Sequence, residues 1–289
     1  MMAIHVENLR KYYGRARGVE EASFSVAPGE ILGFIGPNGA GKTTVIRVLA
    51  GLLNKTAGVA EILGKLPGKE ANRDVGYMPG EIAFYRELTV REQLLYLARV
   101  RGVDAENIDV LAERLDLDLN KRVCELSTGN RKKIGIIAAL MHSPHVLIFD
   151  EPTSGLDPLI QKEFFDLLRA EKRKGAAILL SSHILSDVEK VCDRVCLIRD
   201  GRTLFSAPVA DLKREKFKRV HVTPAFAEIN LPGLTLETRD NNHAIYRYKG
   251  DINPLLAALS YYRLADVKIE DLDLEEIFIK YYREEEGND

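Results

Sequence analysis

The chain has 289 residues, 46% apolar and 29% charged, with a formal net charge of −2. That length predicts one large domain and a smaller companion, and the composition excludes a disordered chain because packing can offset chain entropy. The near-neutral charge gives no electrostatic reason to expect nucleic acid as a partner.

The N-terminal stretch MMAIHVENLRKYYG carries charges where a signal peptide needs an apolar core. Residues 2–9 and 20–26 alternate apolar and polar, the pattern of two strands. Ile31–Ile35 is a short apolar run ending in glycine, the mark of a buried strand, and residues 41–51 read as a helix. Val75–Met78 is another short strand, ended by Pro79. Residues 90–102 and 105–115 have helical spacing, marked by Leu94, Leu97, Leu111 and Leu115. The basic runs Arg131–Lys133 and Lys213–Arg219 read as solvated surface.

Val146–Phe149 is wholly apolar, residues 158–173 are helical (Ile160, Phe164, Leu167, Leu168), and Ala176–Leu180 is the next buried strand. Two buried strands joined by a helix predict a parallel, right-handed crossover. Val195–Ile198 and Thr203–Phe205 flank Asp200-Gly201, a hairpin signal. After Pro208 the runs shorten: strands at 218–223, 234–238 and 243–248, helices at 254–262 and 273–283. The expected organisation is a domain over 1–207, with a helical part at about 84–142, followed by a small α+β domain over 208–289. The three cysteines, Cys124, Cys192 and Cys196, are too few and odd in number for a disulfide framework and fit a reducing compartment. Cys192 and Cys196 lack the neighbours of a zinc site and read as small buried apolar residues. The longest apolar runs, Ile134–Met141 and Val146–Phe149, fall far short of the about 20 residues that cross a bilayer, so a soluble chain is expected.

Gly36-Pro37-Asn38-Gly39-Ala40-Gly41-Lys42-Thr43 matches G-x-x-x-x-G-K-[ST] between a predicted strand and a predicted helix. A triphosphate needs many donors at close range. Glycines let backbone N–H groups turn inward, and the helix N-terminus adds its dipole. Lys42 supplies a charge to the β- and γ-phosphates, and the Thr43 hydroxyl is a ligand for Mg²⁺. Residues 36–43 with Thr44 are the candidate nucleotide-binding set. The motif alone leaves kinase, GTPase and transport ATPase open.

The run His145–Phe149 ends in Asp150-Glu151-Pro152. Asp150, at the carboxyl end of a central strand, is placed to hold Mg²⁺. Glu151 points elsewhere and is the candidate to polarise an attacking water.

Leu126-Ser127-Thr128-Gly129-Asn130 precedes a helical run to Met141 and then the acidic strand. Here the chain resembles the nucleotide-binding domains of ABC transporters, whose Leu-Ser-Gly-Gly-Gln signature occupies this place. Thr128 and Asn130 depart from it, while Ser127 and Gly129 match the family's γ-phosphate contacts. Ser154-Gly155-Leu156-Asp157 looks like the family's D-loop, and Ser181-Ser182-His183 ends a strand where the family has its switch histidine. A neutral imidazole there can hydrogen-bond the γ-phosphate. Tyr13 looks like the aromatic that stacks on adenine, with Tyr12 as its rival. In Gly76-Tyr77-Met78-Pro79-Gly80-Glu81, Gly80 holds the place of the usual Gln, and Glu81 is the expected substitute.

The resemblance covers about residues 2–205. It implies a P-loop NTPase fold: an α/β mixed sheet core with an antiparallel β part and a helical subdomain. It also implies ATP hydrolysis with Mg²⁺, by Lys42, Glu151 and His183. The implied partners are an integral membrane permease and a second ATP-binding subunit in a homodimer, at the cytoplasmic face of the membrane. Asp273-Leu-Glu-Glu-Ile-Phe278 looks similar to the tail of ABC-2-type export ATPases. Rival readings are a soluble ABC machine, which usually has two ATPase units or a long coiled coil, a small-molecule kinase, and an ATP sensor without turnover.

Overall fold

A computed structural model describes residues 2–214, 217–224, 229 and 231–271. The helix expected over 273–283, with the Asp273–Phe278 motif, lies outside the described residues. The chain forms two compact units, Met1–Pro208 and Val209–Asp289.

The first unit opens with a hairpin. The expected strands extend toward each other as β1 (Ile4–Tyr13) and β2 (Ala16–Val26), pairing antiparallel until Tyr13 faces Ala16. Gly14 makes the turn with φ 62°, a conformation glycine adopts without strain. Tyr13 is thereby carried to the hairpin tip. The next strand, β3 (Ile31–Ile35), is buried throughout and leads into α1 (Lys42–Leu49). A strand not foreseen, β4 (Ala57–Ile62), adds antiparallel to the free edge of β1. Its small residues carry a weak strand signal, and Gly58 fits because a Cβ there would lie 2.1 Å from the Asn8 carbonyl oxygen.

After β5 (Val75–Met78) come the helices α2 (Val90–Arg101) and α3 (Ile108–Arg114), a 3₁₀ turn (Val123–Glu125), and α4 (Thr128–Leu140). Thr89 and Glu92 form a reciprocal capping box that starts α2, and Gly102 in the left-handed region ends it. The parallel arrangement of the crossover then appears: β6 (Val146–Asp150), α5 (Pro158–Arg173) capped by Asp157, and β7 (Ala177–Ser182), with β6 and β7 parallel neighbours. A short helix, α6 (Leu185–Val191), was not foreseen. It has seven residues and no side-chain cap; Val188 seats it against β3, where a Cβ on Gly33 would come within 2.6 Å of the valine. The unit closes with β8 (Arg194–Arg199) and β9 (Arg202–Pro208) as an antiparallel pair.

The sheet order is β4-β1-β2-β9-β8-β3-β7-β6-β5. Strands β8, β3, β7, β6 and β5 are mutually parallel, and β1, β2 and β4 form the antiparallel part. Parallel strands buried on both faces must be apolar, which explains the runs at β3, β6 and β7. Their carboxyl ends lie in register: Ile35 faces Ser182, and Asp150 faces Ser181. The loops that follow these strands therefore emerge side by side.

The second unit contains α7 (Val209–Arg214), β10 (Phe217–Thr223), β11 (Leu234–Arg239), β12 (Ala244–Lys249), α8 (Ile252–Ser260) and β13 (Asp266–Asp271). Its antiparallel sheet has the order β11-β12-β10-β13 and packs Val220, Val222, Tyr246 and Tyr248 with Leu255 and Leu259 of α8. Strand β13 escaped the sequence reading because only Val267 and Ile269 mark it among charges. Among the described residues no helix is long and apolar enough to cross a membrane. Cys192 and Cys196 are buried free thiols, and burial pushes Cys196 up to about 12.

Phe164 of α5 is fully buried, edge-on to Phe149 of β6 with centroids 5.2 Å apart. Phe164→Ala is expected to lower the unfolding free energy of the first unit by about 3–5 kcal/mol, measured by urea denaturation. A loss below about 1 kcal/mol would show that the helix does not depend on this contact.

Candidate nucleotide site

Helix α1 begins at Gly41, whose φ of 104° is open to glycine alone among common residues, and no side chain caps its first turn. Those amides are the donors that an anion requires. The preceding loop is pressed against β8: a Cβ on Gly36 would lie 2.1 Å from the Ile198 carbonyl oxygen. Any larger residue would lift the loop away.

Lys42 is 5% exposed, and its ammonium donates to the carbonyls of Gly36 (2.7 Å) and Pro37 (3.1 Å). Burial pulls its pKa below the usual lysine value, while the carboxylates of Glu151 and Asp150 push back. Its Nζ lies 3.8 Å from Glu151 Oε1, and His183 Nδ1 lies 3.1 Å from Glu151 Oε2. Glu151 thus sits between the two other residues assigned to catalysis, each from a different strand end.

A cavity of about 250 Å³ is lined by Tyr13, Arg17, Gly18, Asn38, Gly39, Gly41, Lys42, Thr43, Thr44 and Glu151. The two tyrosines now separate. Tyr12 gives its hydroxyl to Glu20, while Tyr13 is 47% exposed and faces this cavity. Pro37 and Ala40 hold the loop's shape through the Ala40 N–H bond to the Pro37 carbonyl (3.2 Å).

A second cavity of about 270 Å³ is lined by Thr43, Arg47, Tyr77, Pro79, Gly80, Glu81, Lys132, Asp150, Glu151 and Ser154. Ser181 donates to Asp150 Oδ1 at 2.7 Å and accepts the Glu151 N–H at 3.0 Å. It orients the Asp150 carboxylate and anchors the Glu151 backbone, a role no sequence signal marks. A Cβ on Gly80 would stand 3.3 Å from the Asp150 carbonyl oxygen and 3.6 Å, an ordinary contact, from its Oδ2, so this position borders the Asp150 carboxylate. Tyr77 is pushed up to about 12 by burial and by Asp150, and lines the cavity as a neutral phenol.

The N-terminal tip of α4 lies apart from both cavities, since neither Ser127 nor Gly129 lines them. Ser127 caps α4 by accepting the Asn130 N–H at 3.2 Å, which leaves its hydroxyl hydrogen free to donate. Gly129 packs on the D-loop, where a Cβ would meet the Gly155 carbonyl oxygen at 2.9 Å.

The run Arg131–Lys133 requires a correction, because it is not solvated surface. Lys133 is buried and donates to the Asp116 carbonyl (3.0 Å), and Lys132 reaches the second cavity and donates to the Glu151 carbonyl (3.0 Å). A basic run on a helix distributes over all faces at 100° per residue, so part of it turns inward.

The chain is similar to known proteins in both sequence and fold. The profile of the ABC transporter family matches residues 19–154. The bacitracin transport ATP-binding protein BcrA of Bacillus licheniformis is 40% identical over 222 residues, 74% of this chain and 72% of that protein. The Nod factor export ATP-binding protein I of Paraburkholderia xenovorans is 33% identical over 294 residues, 96% of each chain. A solved ATP-binding subunit of an ABC transporter superposes with a TM-score of 0.68 at 31% identity, covering 74% of this chain and 92% of its own. The chain belongs to the ABC transporter family. It is an ATP-binding subunit and an ATPase of that family.

The buried ammonium of Lys42 has a kinetic consequence. In the free protein it loses its proton below the ordinary lysine value of about 10.4, whereas bound phosphate charge raises it again. In a pH series, kcat/KM for ATP is expected to fall on the alkaline side at lower pH than kcat. Coincident alkaline limbs would contradict the depressed Lys42.

Proposed function

We propose that two copies of this chain close head to tail around ATP, and that closure and release drive a membrane permease in export. One observation carries this reading. Lys42 and Glu151 converge on the phosphate-loop cavities, while the tip of α4, with a free hydroxyl hydrogen on Ser127, lines neither cavity. A second copy would bring its Ser127 and Gly129 to the open side of the phosphate. The γ-phosphate is then a bridge between copies, and its loss lets them part.

Within one copy the residues divide the work. Tyr13 stacks on adenine, the amides of residues 36–44 and Lys42 hold the phosphates, and His183 hydrogen-bonds the γ-phosphate. Glu151 accepts a proton from the attacking water. Thr43 and Asp150 offer the hard oxygen donors that Mg²⁺ takes, with Asp150 Oδ2 not engaged by Ser181. Bound there, the ion would neutralise phosphate charge. Glu81 lines the same cavity and supplies the carboxylate that Gly80 lacks.

Docking to the permease has a candidate surface. A groove of about 690 Å³ is lined in part by Leu52, Arg73, Tyr77, Val100 and Arg101. Leu52 and Val100 are 61% and 66% exposed, and Arg101 Nη1 is buried without a hydrogen-bond partner. A permease segment with an apolar face and an acceptor would satisfy both. Tyr77 borders both this groove and the cavity of Asp150. The named relatives in bacitracin transport and Nod factor export support an exporter, the latter over nearly the full length of this chain. The site would then lie on the cytoplasmic side, where ATP is.

Glu151→Gln is expected to bind ATP, to lose about 10²-fold or more in turnover, and to accumulate as a dimer in size-exclusion chromatography with ATP. Normal turnover would remove Glu151 from its role. Glu81→Ala is expected to raise the Mg²⁺ concentration needed for half-maximal turnover; an unchanged Mg²⁺ requirement would exclude Glu81 from the metal's surroundings.

A further inference from the structure

Glu151 is held in an unusual backbone state. Its φ is 49°, in the left-handed region that residues with a Cβ avoid. Such a state persists only where the surroundings over-determine it. Two side chains hold the backbone of Glu151, one at each of the peptide groups that flank its Cα. The N–H is taken by Ser181 Oγ at 3.0 Å, from β7. The carbonyl is taken by the ammonium of Lys132 at 3.0 Å, from α4.

We propose that Lys132 is a positioning residue for ATP hydrolysis: its ammonium fixes the Glu151 peptide in the left-handed turn that aims the carboxylate between Lys42 and His183. The inference rests on the reading that Glu151 handles the attacking water.

Three observations support the assignment. Lys132 is half-buried and faces the cavity that Asp150 and Glu151 line, so its charge acts at short range with reduced screening. Burial lowers its pKa, and the two carboxylates oppose that shift, so the cation and the acids sense one another. A charge-assisted bond to a carbonyl is stronger than a neutral one, which suits it to hold a strained peptide. Lys132 also lies on α4, the helix whose tip carries Ser127, and Gly129 of that helix packs directly on Gly155. The Glu151–Gly155 segment is therefore fastened to α4 at both its ends. The helix that would meet the ATP of a second copy and the turn that serves this copy's own ATP keep one relative position.

The test uses the purified full chain with ATP and Mg²⁺, comparing Lys132→Met, Lys132→Arg and Lys132→Gln with the unsubstituted protein. Lys132→Met is expected to lower kcat by about 10- to 100-fold, with KM for ATP changed by no more than about twofold. Lys132→Arg, which keeps the charge and donors, is expected to recover most of kcat. Lys132→Gln carries the comparison if the methionine variant does not fold: its kcat should fall well below that of Lys132→Arg at equal KM. A kcat unchanged in Lys132→Met or in Lys132→Gln overturns the proposal. So does equal loss in all three variants accompanied by weakened ATP binding, the result of a merely structural residue. Glu151→Gln is run in parallel. If it keeps full turnover, the parent reading of Glu151 fails; if it is inactive while Lys132→Met is fully active, only the role of Lys132 fails.

Discussion

Unsatisfied backbone amides at the start of α1 are the constraint around which the first unit is built. Those amides can face a ligand because Gly41 takes a left-handed conformation and no side chain caps the turn. The loop can lie flat because Gly36 touches the Ile198 carbonyl of β8 without a Cβ. The position of β8 follows in turn from its parallel pairing with β3. The site is thus a property of the sheet: the loops after β3, β6 and β7 emerge together because those strands are adjacent, parallel and in register.

Electrostatics complete what the sheet begins. Lys42 is buried enough to be destabilised as a cation, and carboxylates close by keep it charged. An anion with several charges relieves that cost more fully than either carboxylate, so the cradle favours a polyphosphate over a single acid. The same reasoning applies on the far side of Glu151, where Lys132 is desolvated and balanced by the same two acids. The acid pair therefore stands between two partly buried ammonium groups. Ser181 removes the remaining freedom by binding Asp150 and the Glu151 N–H with one hydroxyl.

Much of this was legible in the sequence, for reasons that can be named. Strands buried on both faces must be continuous apolar runs, so β3, β5 and β6 showed themselves within a residue. The phosphate loop showed itself because its glycines are demanded by backbone geometry and its lysine by charge. What stayed hidden depends on tertiary contact. The helix α6 is short and uncapped and exists because Val188 packs on Gly33. The strand β4 has little propensity of its own and is held by the edge of β1. Choosing between Tyr12 and Tyr13 needed the hairpin register, which turns one toward Glu20 and the other toward the cavity. Lys132 and Lys133 read as surface because composition does not say which face of α4 turns inward.

The central claim is that one copy's phosphate loop and another copy's α4 tip grip the same terminal phosphate. The direct measurement is a structure of the full chain with Mg²⁺ and a non-hydrolysable ATP analogue. The account predicts two copies, with the γ-phosphate within about 3 Å of Lys42 Nζ in one and of Ser127 in the other. Nucleotide bound away from residues 36–44, or held there with Ser127 of every copy facing solvent, would contradict it.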